Sequence, residues 1–375
     1  MMDPLSKDVL PSGIRARVIE NVNGLDMHVL EAGYGDSARP ALMLLHGFPE
    51  LAYSWRKVMG PLAAAGYHVI APDQRGYGRT TGWDGDYDGD LASFEIPNLV
   101  ADIGALATAL NRNAFAGVVG HDFGSSVAAY CALMRADLFQ TVTLMSAPFA
   151  GPPATAAKPG VEIHDALAAL ERPRKHYHGY YSTRPANDDM QYCSQSVHDL
   201  LRAYYHHKSA DWPENKPYPL ESWTAEELAK MPTYYIMDRD CTMAETVAPN
   251  MPSAAEIANC AWLPDRDLAV YAEAYGRIGF QGGLQWYRCG TSGAQNAALC
   301  EYAGQKIEIP ACFIAGASDW GVHQRPGAFD AMRDTACANM TDRHLIEGAG
   351  HWVQQEQPEA VTRLLLEFLS APKTP

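Results

Sequence analysis

Four short stretches place polar side chains directly after apolar runs: "HGFPE" (46–50), "GHDFG" (120–124), "GASDWG" (316–321) and "GAGHW" (348–352). In open α/β sheets the working groups sit on loops just beyond the carboxyl ends of strands, so chemistry is expected in stretches of this kind. The second follows the apolar "VVG", has a glycine at each end and opens a helix-period segment. That is the outline of a sharp strand-to-helix turn that lifts its central residue into a site. A serine there would attack acyl carbons, but this chain has Asp122. An ionised carboxylate can instead displace a leaving group from an sp3 carbon and become a covalent ester. Gly120 and Gly124 leave the elbow uncrowded, and the N-terminus of the following helix favours an ionised Asp122. Asp319 and His351 follow in loops of the same kind, giving the order nucleophile, acid, base. Singly, each has a plainer role, as a helix N-cap, a turn residue and a satisfied loop histidine. Together, in the expected loops and order, they point to catalysis.

The elements that would position them read as follows. "ALMLLH" (41–46), "GYHVIAP" (66–72) and "FAGVVG" (115–120) are expected as buried strands. Between the last two lies "IPNLVADIGALATALNRN", with Leu99, Ile103, Leu106 and Leu110 at helical spacing, and "SSVAAYCALMRA" is helical again. Strand alternating with helix implies a parallel sheet covered on both faces, an α/β fold. After "MSAPFAGPP" the pattern changes: residues 151–303 are rich in Tyr, Trp, His and Pro, with helix signals and no convincing strand ladder. Thr224 and Glu227 stand at capping-box spacing. A second helix is expected after Pro264, with Leu268, Tyr271 and Tyr275 on one face. "IEIPACFIAGASDW" restores a strand, and "EAVTRLLLEFL" closes with an amphipathic helix. The expected organisation is a core in two parts, 1–150 and 304–375, interrupted by a mainly helical insertion, 151–303.

Bulk properties exclude several classes. The 375 residues are 47% hydrophobic and 19% charged, as in globular proteins. With 29 Lys and Arg against 44 Asp and Glu, the net charge of −15 makes nucleic acid an unlikely partner. No basic n-region precedes an apolar stretch at the start, and no apolar run reaches membrane-spanning length, so a cytoplasmic protein is expected. The eight cysteines form no C-x-x-C pair, which favours reduced thiols over a disulfide framework or a metal site. Nucleotide binding through "GVVGHDFG" is weak, because there is no G-x-G-x-x-G and no G-K-[ST]. "MDRDC" (237–241) reads as a capped turn, not a site.

"HGFPE", "DQRGYG" (73–78), "GHDFGSS", "GASDWG" and "GAGHW" resemble, in order and over nearly the whole chain, the motifs of the epoxide hydrolase branch of the α/β-hydrolase fold. The insertion shares the resemblance. "GFQGGLQWYR" (279–288) is similar to the cap segment holding one ring-opening tyrosine, which would be Tyr287, and "KHYHGYYSTRP" (175–185) to the one holding its partner, placed at Tyr177, with Tyr180 and Tyr181 close enough to be confused with it. The resemblance implies that Asp122 opens an epoxide, that the tyrosines protonate the departing oxygen, and that His351, oriented by Asp319, activates water against the ester. Backbone N–H groups of Phe48 and Phe123 would form the oxyanion hole. His46, Pro49, His121, Trp286, Tyr181, Trp320 and Trp352 are expected to line the substrate site. No cofactor and no metal are implied. The partners expected are an apolar or aromatic epoxide and water, with the protein a monomer or homodimer.

Dehalogenases share the aspartate and run the same two steps with a halide leaving. Haloalkane dehalogenases typically hold the halide with an indole N–H directly after the nucleophile and an Asn after the "HG" pair. Phe123 and Phe48 stand there, and neither side chain can donate. Fluoroacetate dehalogenases place arginines after the nucleophile, and "DFGSSVAAY" has none. Tyr177-His178 does resemble their cap motif, with Gly179 where its Trp would be. A binding protein that kept the fold and lost the chemistry would be expected to have a damaged triad. The insertion is longer than the family's usual cap.

Overall fold

A computed structural model describes residues 2–156 and 162–371. Its main sheet has eight strands: β1 (Ile14–Val22), β2 (Leu25–Ala32), β3 (Ala41–Leu45), β4 (His68–Pro72), β5 (Gly117–His121), β6 (Val142–Met145) and, far along the chain, β9 (Ala311–Gly316) and β10 (Met340–Ile346). They lie in the order β1-β2-β4-β3-β5-β6-β9-β10. β1 and β2 form an antiparallel hairpin, β2 runs antiparallel to β4, and every other neighbouring pair is parallel.

The central strands β3, β5 and β9 are buried along their whole length, which is why they read as unbroken apolar runs. The two-residue period sorts their side chains between two cores. Leu42 and Leu44 join Trp55, Val58 and Leu62 on one face, whereas Met43 and Leu45 join Leu99, Ile103 and Leu106 on the other. Helix Ile96–Ala109 supplies the latter three, and Leu110 falls at its C-cap. The closing helix, Pro358–Ser370, buries Val361, Leu364 and Leu365. The edge strands β1 and β10, together with β2 and the short β6, carry polar or brief patterns that periodicity does not mark as strands.

Between β6 and β9 the chain leaves the sheet for a helical insertion. Helix Asp265–Ile278 follows Pro264 as expected and buries Leu268, Tyr271 and Tyr275. Two expectations are corrected. The insertion does contain a strand pair, β7 (Arg174–His176) with β8 (Ile236–Asp238), antiparallel and only three residues per strand, too short and too polar for a period-two signal. The Thr224 hydroxyl caps helix Ala225–Leu228, but the Glu227 carboxylate turns to the Glu221 N–H, so the box is half formed. Complete capping boxes occur at Thr242–Glu245 and Ser253–Glu256. In "MDRDC", Asp238 pairs with Arg172 at 2.7 Å and the chain turns after it.

The insertion docks on the core through buried polar bonds. Arg56 grips Asp267 at 2.9 Å, the hydroxyls of Tyr205 and Tyr275 donate to the carbonyls of Pro49 and Glu50, and the Trp286 indole donates to the Arg75 carbonyl. Gly76 and Gly282 meet backbone to backbone: a Cβ on Gly282 would lie 2.1 Å from the Gly76 oxygen. This contact explains why "RGYG" and "QGG" both contain glycine. No described helix is long and apolar enough to cross a membrane.

Candidate active site

The four polar stretches gather at the carboxyl ends of β3, β5, β9 and β10. Asp122 sits between β5 and helix Phe123–Met134 with φ 53° and ψ −121°, a backbone conformation that residues other than glycine rarely adopt. Its own N–H donates to the Met145 carbonyl at 3.1 Å. A Cβ on Gly120 would lie 2.0 Å from the Gly124 oxygen, and one on Gly124 2.3 Å from the Leu45 oxygen, so the elbow closes only with glycine at both positions.

The two oxygens of Asp122 have different neighbours. Oδ1 accepts from the Phe48 N–H at 2.9 Å. Oδ2 lies 3.3 Å from His351 Nε2, close enough to pair but outside hydrogen-bond alignment. On its other side, His351 Nδ1 is 3.1 Å from Asp319 Oδ1, which also accepts from the Gly321 N–H at 2.7 Å. The Phe123 N–H stands at the first helical position, where no intrahelical acceptor exists. Asp122 is only 8% exposed. Burial alone would raise its pKa, but His351, Lys208 and His121 outweigh it and hold the carboxyl well below the usual range. The helix terminus invoked from sequence is thus joined by three basic side chains. Asp319 is likewise lowered, its burial outweighed chiefly by His351.

Tyr177 and Tyr287 lie together with ring centroids 5.9 Å apart. Burial raises both phenols well above their ordinary range, and the charge of Asp122 raises them further. Both therefore stay protonated. The Tyr177 hydroxyl donates to Gln324 at 3.2 Å, and the Tyr287 ring packs edge-on against Phe48 and Phe123. The neighbouring tyrosines are occupied elsewhere: Tyr180 donates to Asp189, and Tyr181 faces the Tyr204 hydroxyl at 3.5 Å while its ring packs on Phe48 and Tyr287.

The remaining expected site residues divide. Trp286 packs edge-on against Phe123, and Trp352 lies against His351 with its indole donating to the Tyr205 carbonyl. Trp320 is buried against Tyr218. Pro49 serves through its carbonyl, which accepts from Tyr205. Both ring nitrogens of His46 are engaged within the protein, with the Gly47 carbonyl and the Gln74 N–H. His121 lies beneath the site, bonded to Glu50 at 2.6 Å and to the His351 carbonyl at 2.7 Å. Burial alone would lower the pKa of His121, but the Glu50 carboxylate prevails and raises it. These histidines brace loops; their alternation with glycine in the motifs gave no hint of which way they face.

Sequence reasoning missed Lys208 and Glu356, and gave His178 only as part of a dehalogenase-like cap pair. His178 packs its ring 5.1 Å from Tyr287; burial lowers its pKa to about 4, against the pull of Asp122. Lys208 is buried and acts on Asp122. Glu356 accepts from the N–H groups of Gly350, Trp352 and Ala210, fastening the His351 loop to the insertion. Neither Lys208 nor Glu356 belongs to a motif, and each is brought in by tertiary packing. Among the described residues no group of three or more His, Cys, Asp or Glu could hold a metal ion.

The largely parallel sheet, with a strained aspartate, a histidine and a second aspartate gathered on the loops at its carboxyl end, defines an α/β-hydrolase fold. Residues 40–227 match the alpha/beta hydrolase fold family. The chain is 32% identical to epoxide hydrolase A of Mycobacterium tuberculosis, over 93% of this chain and 96% of that protein, and 30% identical to an epoxide hydrolase of Caballeronia sordidicola, over 92% and 91%. Among solved structures it is similar to an epoxide hydrolase from an endophytic Streptomyces (TM-score 0.75, 30% identity, 96% of both chains). Potato (Solanum tuberosum) epoxide hydrolase I is also similar (TM-score 0.73, 27% identity, 95% of this chain and 99% of that one). The chain belongs to the epoxide hydrolase branch of the α/β-hydrolase family.

Proposed function

We propose that the protein opens an epoxide to a vicinal diol in two covalent steps, with residues 151–303 acting as a cap that carries the acid. The observation that supports this reading is that two buried phenols, Tyr177 and Tyr287, pack together and both feel the charge of Asp122, which keeps them protonated. In the first step Oδ2 of Asp122 attacks a ring carbon, the carbon–oxygen bond breaks, and the oxygen takes a proton from a phenol, leaving a hydroxy ester and a phenolate. General acid help of this kind typically gives about 10² to 10⁴ in rate.

In the second step His351, held by Asp319, takes a proton from water, whose oxygen adds to Cγ of Asp122. The charge develops on Oδ1, which already accepts from the Phe48 N–H; the Phe123 N–H is the second donor. Collapse expels the diol oxygen, protonated by His351, and the other proton of the water restores the phenol. Walls formed by Phe48, Phe123, Tyr181 and Trp286 suit an apolar or aromatic epoxide. Phe48 and Phe123 supply no side-chain donor for a leaving halide, which favours this reading over a dehalogenase.

The test is mass spectrometry of His351→Ala after exposure to an aryl epoxide, an alkyl epoxide, a haloalkane and fluoroacetate. The expected result is an ester on the peptide containing Asp122 with the full mass of the epoxide. An adduct only from a halide reagent, with halide released, would replace the reading with dehalogenation.

A further inference from the structure

The last residue of helix Ser196–Lys208 is a lysine that is 2% exposed. Taking an ammonium out of water costs several kcal/mol unless a partner compensates. Among the described residues Lys208 has no hydrogen-bonded or ion-paired acceptor for its ammonium. Four rings enclose it instead: Tyr235 at 4.8 Å, Tyr204 at 5.3 Å, Trp352 at 5.5 Å and Tyr234 at 5.7 Å from Nζ to centroid. Cation–π contacts at such distances offset part of the desolvation. The main chain at the same residue is tied to the base, because the Lys208 carbonyl accepts from the His351 N–H at 2.9 Å.

The groups that feel this ammonium include two of the reaction. It lowers the pKa of both Asp122 and Asp319, and it also acts on His178 and His207. Two carboxylates thus share one caged cation. A substrate carboxylate would add a third negative charge to a place that holds only one such cation, which argues against Lys208 as an anion-binding subsite.

We propose that Lys208 is a positioning residue for the second half-reaction, its caged ammonium favouring the free Asp122 carboxylate over the neutral alkyl ester and so driving ester hydrolysis. The proposal rests on the epoxide-opening reading above. Alkylation removes the negative charge of Asp122 as the carbon–oxygen bond forms, so the cation opposes that step. Hydrolysis breaks the Cγ–O bond to the substrate and returns the charge, so the cation assists that one. A group that merely filled space would not move the two steps in opposite directions.

The experiment is a quenched single turnover of Lys208→Met with styrene oxide, followed by intact-protein mass, beside the wild type and Lys208→Arg. The hydrolysis rate constant is expected to fall about tenfold, as for a carboxylate that loses a nearby opposite charge. Alkylation speeds up. Ester accumulates, kcat falls and KM falls further, so that kcat/KM rises, and Lys208→Arg restores hydrolysis. Equal slowing of both steps, or no accumulation of ester, would overturn the proposal. So would an effect confined to a carboxylate-bearing epoxide such as phenylglycidate, which would make the ammonium a substrate subsite. If Lys208→Met does not fold, Lys208→Gln puts the same question with a polar chain in the cage. A wild type that turns over no epoxide would defeat the functional reading itself, before any variant is compared.

Discussion

The loops at the sheet's carboxyl end and the insertion above them hold their reactive groups by different means. In the core the backbone fixes position: Asp122 is set by a strained φ between two glycines that tolerate no Cβ, and its Oδ1 is met by a main-chain N–H. In the insertion, side chains fix side chains. Tyr287 is held edge-on by Phe48, Phe123, Tyr177 and Tyr181, and Lys208 by four rings. Backbone-set geometry leaves a sequence motif, because only glycine or one polar residue fits each place. Geometry set by packing can be reached with many aromatic combinations and leaves almost none.

The sharpest way to break this comparison is to remove the chemistry of the insertion while keeping its packing. Tyr177→Phe with Tyr287→Phe keeps both rings and deletes both hydroxyls proposed as proton donors. Alkylation of Asp122 is expected to slow by about 10² to 10⁴, with thermal unfolding near that of the wild type, because the Tyr287 hydroxyl bonds to no described residue and the Tyr177 hydroxyl only to Gln324. Diol formation at an unchanged rate in the double variant would show that the acid lies elsewhere, and Tyr181 would be the next residue to change.

The legibility of the site follows the same division. Asp122, Asp319 and His351 could be read from glycine spacing and chain order, and the central strands from unbroken apolar runs such as "ALMLL". His46 and His121 show the limit, since a motif marks that a loop is constrained without saying which way a ring points. The three-residue strands β7 and β8 carry too few alternations to register. Lys208 looks like any basic residue ending a helix, and only the fold brings Trp352 and Tyr235 around it.

One contact joins the two modes, since Gly76 of the core and Gly282 of the insertion touch through backbone alone. Gly282→Ala would place a Cβ 2.1 Å from the Gly76 oxygen, so the helix that carries Tyr287 must move. Overpacking of this kind costs about 1 to 3 kcal/mol, measurable by urea unfolding, and a shift of about 1 Å in a positioned group can reduce rate about 10²-fold. Alkylation should slow, while hydrolysis of ester already formed keeps its rate. Equal loss in both steps would mean that the insertion also aligns the triad.

The smallest expected effect concerns Glu356, where burial competes with backbone bonds. Three N–H groups favour its carboxylate, yet burial prevails and raises the pKa from 4.5 to about 7. The folded protein therefore binds this proton more tightly than the unfolded chain. Its contribution to stability is full below about 4.5 and is lost as the pH rises through about 7. Glu356→Gln cannot ionise and leaves the Trp352 N–H facing an amide nitrogen or Gly350 and Ala210 facing one, so it is expected to be less stable by about 1 to 3 kcal/mol at pH 5. That deficit should shrink toward pH 8, because only the wild type loses stability across the window. Urea unfolding at both pH values reads the difference. A deficit that grows with pH would mean that the three N–H donors outweigh burial, and that the His351 loop is fastened most firmly when Glu356 is charged.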